Sequence, residues 1–389
     1  SRIMSTLKVD AIRHNSATSD AITTASDGTC TAKLTSVGGG GLSHRNVISN
    51  GAMTVSQRAT SASYTSGGVF PALDRFKAIG NSSMTVNTTI SQTADSPDGL
   101  GYCLKVLVNA SQTPSGSENF IIRYSGEEQD MKRFGYGTSA CKEATISFSV
   151  KSNKTGTYSV QIYLGNYSPN IITTYTINSA NTWERKTITL PTYTTSFSHA
   201  ADNARGLMID WHLSSGPDDI VSTTGWVTSP TNARAATGQV NLLDATSNYW
   251  QMTNVQFEVG DTATSFEHRS FAEELQRCQR YYYRMQNGSS GSYWVGHTSS
   301  YGGNNNIVMI HLPVCMRDNP TLGTSGTASH FQLWGNATVE NMSSLPVLRT
   351  SVGINPSVVA IDINHNITTG HTRILRFGSQ AYLEFSAEI

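Results

Sequence analysis

Residues 143–153, EATISFSVKSN, alternate strictly. Ala144, Ile146, Phe148 and Val150 fall on one face of an extended chain, and Thr145, Ser147, Ser149 and Lys151 on the other. Residues 157–166, TYSVQIYLGN, repeat the pattern with Tyr158, Val160, Ile162 and Leu164. A period of two with one apolar face marks a half-buried strand. The SNKTG between the two runs predicts a hairpin joining them. ENFIIRY, KTITLP, RGLMIDWHL and MTNVQFEVG continue the series, with turn signals at short intervals. This points to an antiparallel sandwich or jelly roll. Beyond residue 279 the runs SYWVGHTS, NNIVMIHLPV, FQLWGNATV, SVVAIDI, RILRFG and AYLEFSAEI are again strand-like. No repeat of fixed period occurs, which argues against a solenoid.

One segment breaks the pattern. In FEHRSFAEELQRCQRYYY (266–283), Ser270 and Glu273 have the S-x-x-E spacing of a capping box. Phe271, Leu275 and Cys278 fall on one helical face, and Glu273 and Arg277 form a pair four residues apart in the favourable order. A short connecting helix is expected, with Tyr281 to Tyr283 returning to strand. The first 41 residues hold only short strand-like pieces, STLKVDAI and AITTAS, and end in four glycines. They are too few and too polar for a core and read as a docking arm or stalk. The expected chain is all-β: an N-terminal extended arm (1–41), a central β-sandwich jelly roll (42–265), a connecting helix (266–283) and a small C-terminal β-domain (284–389).

Composition narrows the function. The 389 residues carry 27 basic and 27 acidic side chains, and only 14% are charged. That is well under the roughly 25% of an average soluble protein, so Ser, Thr, Asn and Gly must build the polar surface. No basic block suggests a nucleic-acid partner. No apolar run is long enough to insert in a membrane, and SRIMSTLKVDAIRHN lacks the apolar core of a signal peptide. The widely spaced cysteines Cys30, Cys103, Cys141, Cys278 and Cys315 form no C-x-x-C and read as small buried residues of a chain made in a reducing cytoplasm.

Five stretches carry a resemblance: NVISNGAMTVSQRAT (46–60), GYCLKVLVNAS (101–111), ATISFSVKSNKTGTYSVQIY (144–163), NTWERKTITL (181–190) and YWQMTNVQFEVGDTATSFEHRSFAEELQRCQRYY (249–282). In this order they resemble the middle region of tail-fibre-like structural proteins of bacteriophages, marine ones especially. The resemblance covers about 46–283, and MTNVQFEVGDTATSFEHR carries most of its specificity. STLKVDAI also resembles the start of phage fibre proteins. The resemblance implies a jelly roll similar to carbohydrate-binding modules, followed by a small β-domain. It further implies a homotrimeric fibre on the virion, assembled in the host cytoplasm, that contacts the host surface, with glycans as the expected ligand. The arm, through Leu7, Val9 and Ile12, would anchor the chain to other tail proteins. Related jelly rolls often hold one structural calcium by oxygens, for which Glu258 and Asp261 are the carboxylates at hand, with a plain loop role as their alternative. Residues 284–389 lie outside the resemblance, as fits a tip that varies with its target.

In carbohydrate-binding modules aromatic rings stack on sugar faces and amides bond the hydroxyls. Trp183, Trp211 and Trp250 sit on strand-like runs and are expected in the core or at its edge. Trp226, in the loop-like STTGWVTSPTNA, is the better binding candidate. GSYWVGHTSSYGGNNN supplies Tyr293, Trp294, His297, Tyr301, Asn304, Asn305 and Asn306, which could grip a glycan or pack on a sister chain. His330 and Trp334 form a weaker cluster.

The case for an enzyme is thin. Glu127–Glu128, Asp218–Asp219 and Glu273–Glu274 are adjacent pairs, and neighbours on a strand point to opposite faces. No G-x-S-x-G, H-E-x-x-H or P-loop occurs. The chain is read as non-catalytic. The alternatives are a purely structural or decorating virion protein and, further off, a glycan depolymerase.

Overall fold

In the computed structural model residues 44–389 are described except at 82–83, 166, 200, 223–224, 229–233, 288–292, 303–304, 336–337, 350–355 and 365–371. Before residue 44 only 11–12, 22–24, 26 and 30–32 are described. There the strands Ala11–Ile12, Ile22–Thr24 and Cys30–Ala32 pair antiparallel, with Ile12 opposite Ile22. Leu7 and Val9 lie outside the described residues.

The chain is nearly all β, as the alternation predicts. Two antiparallel sheets face each other. The six-stranded one runs Glu184–Leu190, Ala144–Ser152, Tyr249–Val259, Cys103–Val108, Thr88–Thr93, Ser61–Tyr64. The seven-stranded one runs Trp226–Val227, Asn170–Ile177, Gly156–Leu164, Arg205–Ser215, Asn119–Glu127, Phe76–Gly80, Gly67–Val69. Their inner residues make one core from Val47 to Val259. Phe148 of the first sheet meets Trp211 of the second edge-on at 5.9 Å, and the Trp250 Nε1–H donates to the Tyr175 hydroxyl at 3.0 Å.

The expected hairpin at SNKTG is corrected. Ala144–Ser152 pairs with Glu184–Leu190 and Tyr249–Val259, whereas Gly156–Leu164 pairs with Asn170–Ile177 and Arg205–Ser215. The turn is an arch from one sheet to the other. Both apolar faces still point at the same core, and so an alternating pattern fits either arrangement.

Residues at the two ends of the sandwich clasp each other. Asn46 Oδ1 accepts from Phe257 N at 3.1 Å, and its Nδ2 donates to Val255 O at 3.0 Å. Gly51 passes so close to the last strand that a Cβ there would stand 2.2 Å from Val255 O. Glu267 accepts from Asn46 N at 3.0 Å, and Arg269 donates to Ile48 O at 2.9 Å.

The helix Phe271–Gln279 begins on Ser270, whose hydroxyl accepts from Glu273 N at 3.2 Å. Its docking differs from the apolar stripe expected. Phe271 is exposed, and Glu274 and Cys278 are the buried positions. The Glu274 carboxylate takes Asn50 N and, at 2.8 Å, Arg269 Nη1, so an ion pair and a backbone cap seat the helix where a hydrophobic face was foreseen.

Beyond the helix, Tyr282–Gln286, Tyr382–Ser386 and Thr321–Thr324 form a three-stranded sheet. It packs with a second seven-stranded sheet ordered Thr338–Asn341, Phe331–Gly335, Thr372–Phe377, Tyr293–Gly302, Asn305–His311, Val358–Asn364, Val347–Leu348. Their core is separate, from Val308 to Ala387.

Candidate functional site

The outer face of the sandwich's seven-stranded sheet, turned away from the core, carries large and charged side chains where a solvated sheet would show Ser and Thr. Register places Gln161 opposite Asp210, Asp210 opposite Arg123 and Arg123 opposite Lys77, a row across four neighbouring strands. Arg123 grips Asp210 with both ends of its fork, Nε to Oδ1 and Nη2 to Oδ2 at 2.6 Å each. Asp210 is buried and Arg123 nearly so. Burial works to discharge the guanidinium, and the Asp210 carboxylate more than offsets it, so Arg123 stays charged.

A groove of about 410 Å³ opens beside this pair, lined by Ile79, Asn81, Asn119, Ile121, Tyr163, Tyr167 and Arg234 together with Arg123. Tyr163 is buried on its strand, and Tyr167 stands edge-on to it at 5.8 Å and is 40% exposed. The Arg205 guanidinium lies 4.2 Å from the Tyr167 ring centre and that of Arg123 5.8 Å. Tyr167 has φ +77°, left-handed backbone that an aromatic residue rarely adopts. Such strain persists where the surroundings enforce it, and it gathers at binding sites. Arg234 faces Asp219 at 3.6 Å, and the buried Asp219 accepts from Asn119 Nδ2 at 2.7 Å. Further along the face the buried His212 keeps Nδ1 on Ser215 Oγ at 3.1 Å. Burial pulls its pKa down to about 4, so it is neutral.

No family model matches the chain. No curated protein matches it either. Among solved structures it is similar to the enzymatically active domain of tailspike protein 4 of bacteriophage CBA120, at 10% identity and TM-score 0.30 over 55% of this chain and 21% of that one. The chain thus spans about a fifth of that domain's length. It is also similar to the N-terminal cellulose-binding domain of Cellulomonas fimi β-1,4-glucanase C (11% identity, TM-score 0.27, 48% of this chain and 90% of that one). A third likeness is to the family 11 carbohydrate-binding module from Clostridium thermocellum, solved with a mixed-linked tetrasaccharide (13% identity, TM-score 0.26, 53% of this chain and 99% of that one).

The residues nominated from sequence lie elsewhere. Trp226 is in a two-residue edge strand, not a loop; its ring packs on Tyr193 at 5.5 Å and Tyr136 at 5.8 Å, and Nε1 donates to Pro191 O at 3.0 Å. Tyr293, Trp294 and His297 are exposed on the strand Tyr293–Gly302. Tyr293 stacks towards Phe377 at 5.8 Å, while Trp294 joins Trp334 at 5.2 Å. The two sequence clusters therefore meet, because the strands holding them flank Thr372–Phe377. Tyr301 and Asn305 lie on strands, but their side chains are outside the described residues, as is all of Asn304. Asn306 is buried, with Nδ2 donating to Ile363 O at 3.3 Å, and presents no amide to solvent.

The calcium nominees do not converge. Both Glu258 oxygens are taken by Thr264, and one also by Gln256, while Asp261 Oδ1 accepts from Thr262. Among the described residues no three acidic, His or Cys side chains gather as metal ligands. A second cavity of about 320 Å³ is walled by Met131, Tyr136, Leu164 and Phe197, with the Glu128 carboxylate accepting from His199 Nδ1 at 2.6 Å.

The sequence reading missed the sheet-face residues. Their signal was present: Arg123 in ENFIIRY and Asp210 in RGLMIDWHL stand at outward positions of otherwise apolar strands, as do Tyr163, Ile121 and Met208. A half-solvated strand would carry small hydroxyls there.

Proposed function

We propose that this chain is a non-catalytic glycan-binding attachment protein, with the sheet-face groove as its sugar site. The observation that carries it is the placement of the strained, part-exposed Tyr167 against Tyr163, beside the locked Arg123–Asp210 fork and the amides of Asn81 and Asn119. Sugar recognition asks for an aromatic platform and a few fixed polar groups in a concavity of this size, held on rigid strands so that little order is lost on binding. The wider reading follows the sequence resemblance: a homotrimeric tail fibre on a virion, made in the host cytoplasm, anchored to other tail proteins by the arm with Leu7, Val9 and Ile12, and touching host-surface glycans. The exposed Trp294 and Trp334 on the distal sheet give such a fibre a second contact surface.

Binding of the labelled full chain to intact host cells, with and without excess unlabelled protein, tests this. Saturable, competable binding that Tyr167→Ala removes, with unchanged melting, is the expected result. A well-folded oligomer that does not bind would make the chain a structural part of the particle. A monomer by light scattering at micromolar concentration would exclude the fibre.

A further inference from the structure

The cavity walled by Met131, Tyr136, Leu164 and Phe197 shares no lining residue with the sheet-face groove. Its polar group is set by a bulge. Arg205 pairs with Glu127 and Leu207 with Gly126, which leaves Gly206 unpaired between them. A bulge bends its strand and re-aims what lies beside it. Beside it is Glu128, the first residue after the strand Asn119–Glu127. A Cβ on Gly206 would fall 2.4 Å from Glu128 Cα and 2.8 Å from Glu128 Oε2, so glycine leaves the carboxylate its place.

The Glu128 side chain is buried, and its two oxygens differ. Oε1 accepts from His199 Nδ1 at 2.6 Å. Oε2 is buried without a hydrogen-bond partner among the described residues, next to Gly206, which lines the cavity. The other ionised lining residues, Lys132 and Asp202, pair with each other at 2.7 Å, and both are exposed. A buried acceptor without a donor is costly, and a ligand that supplies the donor removes that cost.

The walls are apolar. Met131, Tyr136 and Leu164 are buried. Phe197 lies over Gly137 and Gly165, where Cβ atoms would stand 3.0 and 3.3 Å from its ring, and its ring centre is 4.5 Å from that of the exposed His199. A fitting ligand therefore brings one donor and apolar surface together. A plain hexose would set hydroxyls against Met131 and Leu164 with nothing to bond. An ammonium head brings no apolar surface of its own. An acetamido group brings both, an N–H and a methyl.

We propose that this cavity is a second ligand site, one that takes the acetamido group of an N-acetylated amino sugar. The N–H donates to Glu128 Oε2, the methyl lies among Phe197, Tyr136 and Met131, and the sugar hydroxyls stay on the exposed side with Lys132 and Asp202. Those exposed polar groups suit a sugar ring better than the alkyl stem of an acetylated lysine.

The test is titration of the full chain, read by saturation-transfer NMR, with N-acetylglucosamine, glucosamine and glucose, which share one ring and differ at a single substituent, and with Nε-acetyl-lysine. N-acetylglucosamine should bind about tenfold or more tightly than glucose or glucosamine, the worth of one matched donor and a buried methyl. Its methyl protons should receive the most saturation. Glu128→Ala and Phe197→Ala should each weaken binding about tenfold, with melting temperatures measured beside them so that misfolding is recognised. Glucose or glucosamine binding as tightly, or Nε-acetyl-lysine binding more tightly, overturns the proposal. So does saturation on the ring protons in place of the methyl, a result read on the parent chain that depends on no variant's folding. Unchanged binding in both variants, or binding lost in Tyr167→Ala but kept in Glu128→Ala, puts the sugar elsewhere and overturns it too. Binding of no probe overturns it outright.

Discussion

The indole of Trp334 meets that of Trp294 edge-on, ring centres 5.2 Å apart and planes at 89°. Both are partly exposed, at 38% and 49%, and the strand between them carries Arg376, whose Nε donates to Gln332 Oε1 at 2.8 Å and whose guanidinium lies 6.0 Å from the Trp294 ring. Large aromatics left in water and steadied by each other form the kind of centre from which an interface draws most of its energy. Trp294→Ala and Trp334→Ala should each reduce binding of the full chain to host cells. The double variant should lose less than the sum, by about 1 kcal/mol, the worth of an edge-on pair. Competition binding on cells measures it. Two single variants that bind like the parent would show that the distal face is not a contact surface.

Gly51 is required by approach. A Cβ there would fall 2.2 Å from Val255 O, while Gly51 O accepts from Val255 N at 3.0 Å. Backbone must then move on one side or the other, and the Asn46 bonds to the same strand move with it. Gly51→Ala should lower stability by about 1–3 kcal/mol, the cost of overpacking, read as a reduced urea midpoint with an unchanged slope. A midpoint equal to the parent's would mean the clasp is loose.

Much of this was legible in the sequence, and the reasons for the rest are physical. Alternation in ATISFSV and YSVQIYL named the core-facing residues correctly, because side-chain period is a local property of extended chain. It could not say that those two strands belong to different sheets, since an arch and a hairpin place the same residues inward. The cap at Ser270 was local and therefore readable. The buried Glu274 was not, because its partners, Asn50 and Arg269, come from outside the helix. The stretches NVISNGAM and FEHR, which carry the sequence resemblance, turn out to touch each other through Asn46, Glu267 and Arg269, so their specificity serves the closure of the sandwich. The groove was hidden because it needs strand order: Arg123, Asp210 and Lys77 are neighbours only in the register.

The two cores are joined by charge. Glu127, at the end of a sandwich strand, accepts from Arg280 Nε at 2.6 Å and Nη2 at 2.7 Å, and from the Tyr281 hydroxyl at 2.6 Å. Burial opposes its ionisation, and these donors together hold its pKa below the usual carboxylate range. Arg75 stacks 3.3 Å above the Tyr281 ring and pairs with Glu388. Glu127→Ala strands the Tyr281 hydroxyl and the Arg280 fork, at a cost of about 3 kcal/mol for a broken, largely buried pair. One calorimetric transition in the parent should split into two in the variant, and Glu127→Gln, which keeps an acceptor, should fall between. A single transition in all three would show that the two units stay coupled without this contact.

Acid should act on two buried groups in opposite senses. The Asp74 pKa is raised from 3.8 to about 6 by burial, which the Arg58 charge and the Gln57 hydrogen bonds only partly offset. The folded chain therefore takes up this proton before the unfolded chain does. Stability from Asp74 is full below pH 3.8 and is lost as pH rises through about 6. The His212 pKa is lowered from 6.5 to about 4, again by burial, with the Asp210 charge opposing. There the unfolded chain protonates first, so stability is full above pH 6.5 and is lost as pH falls through about 4. Each shift is worth about 3 kcal/mol, and their windows overlap, so the two nearly cancel in the parent. Each substitution should expose the other. His212→Gln should gain stability, relative to its own value at pH 7, as pH falls to about 4.5, and Asp74→Asn should lose it more steeply than the parent over the same interval. Urea midpoints of the three proteins across that range measure this. Parallel pH profiles would show that neither group changes its protonation on unfolding.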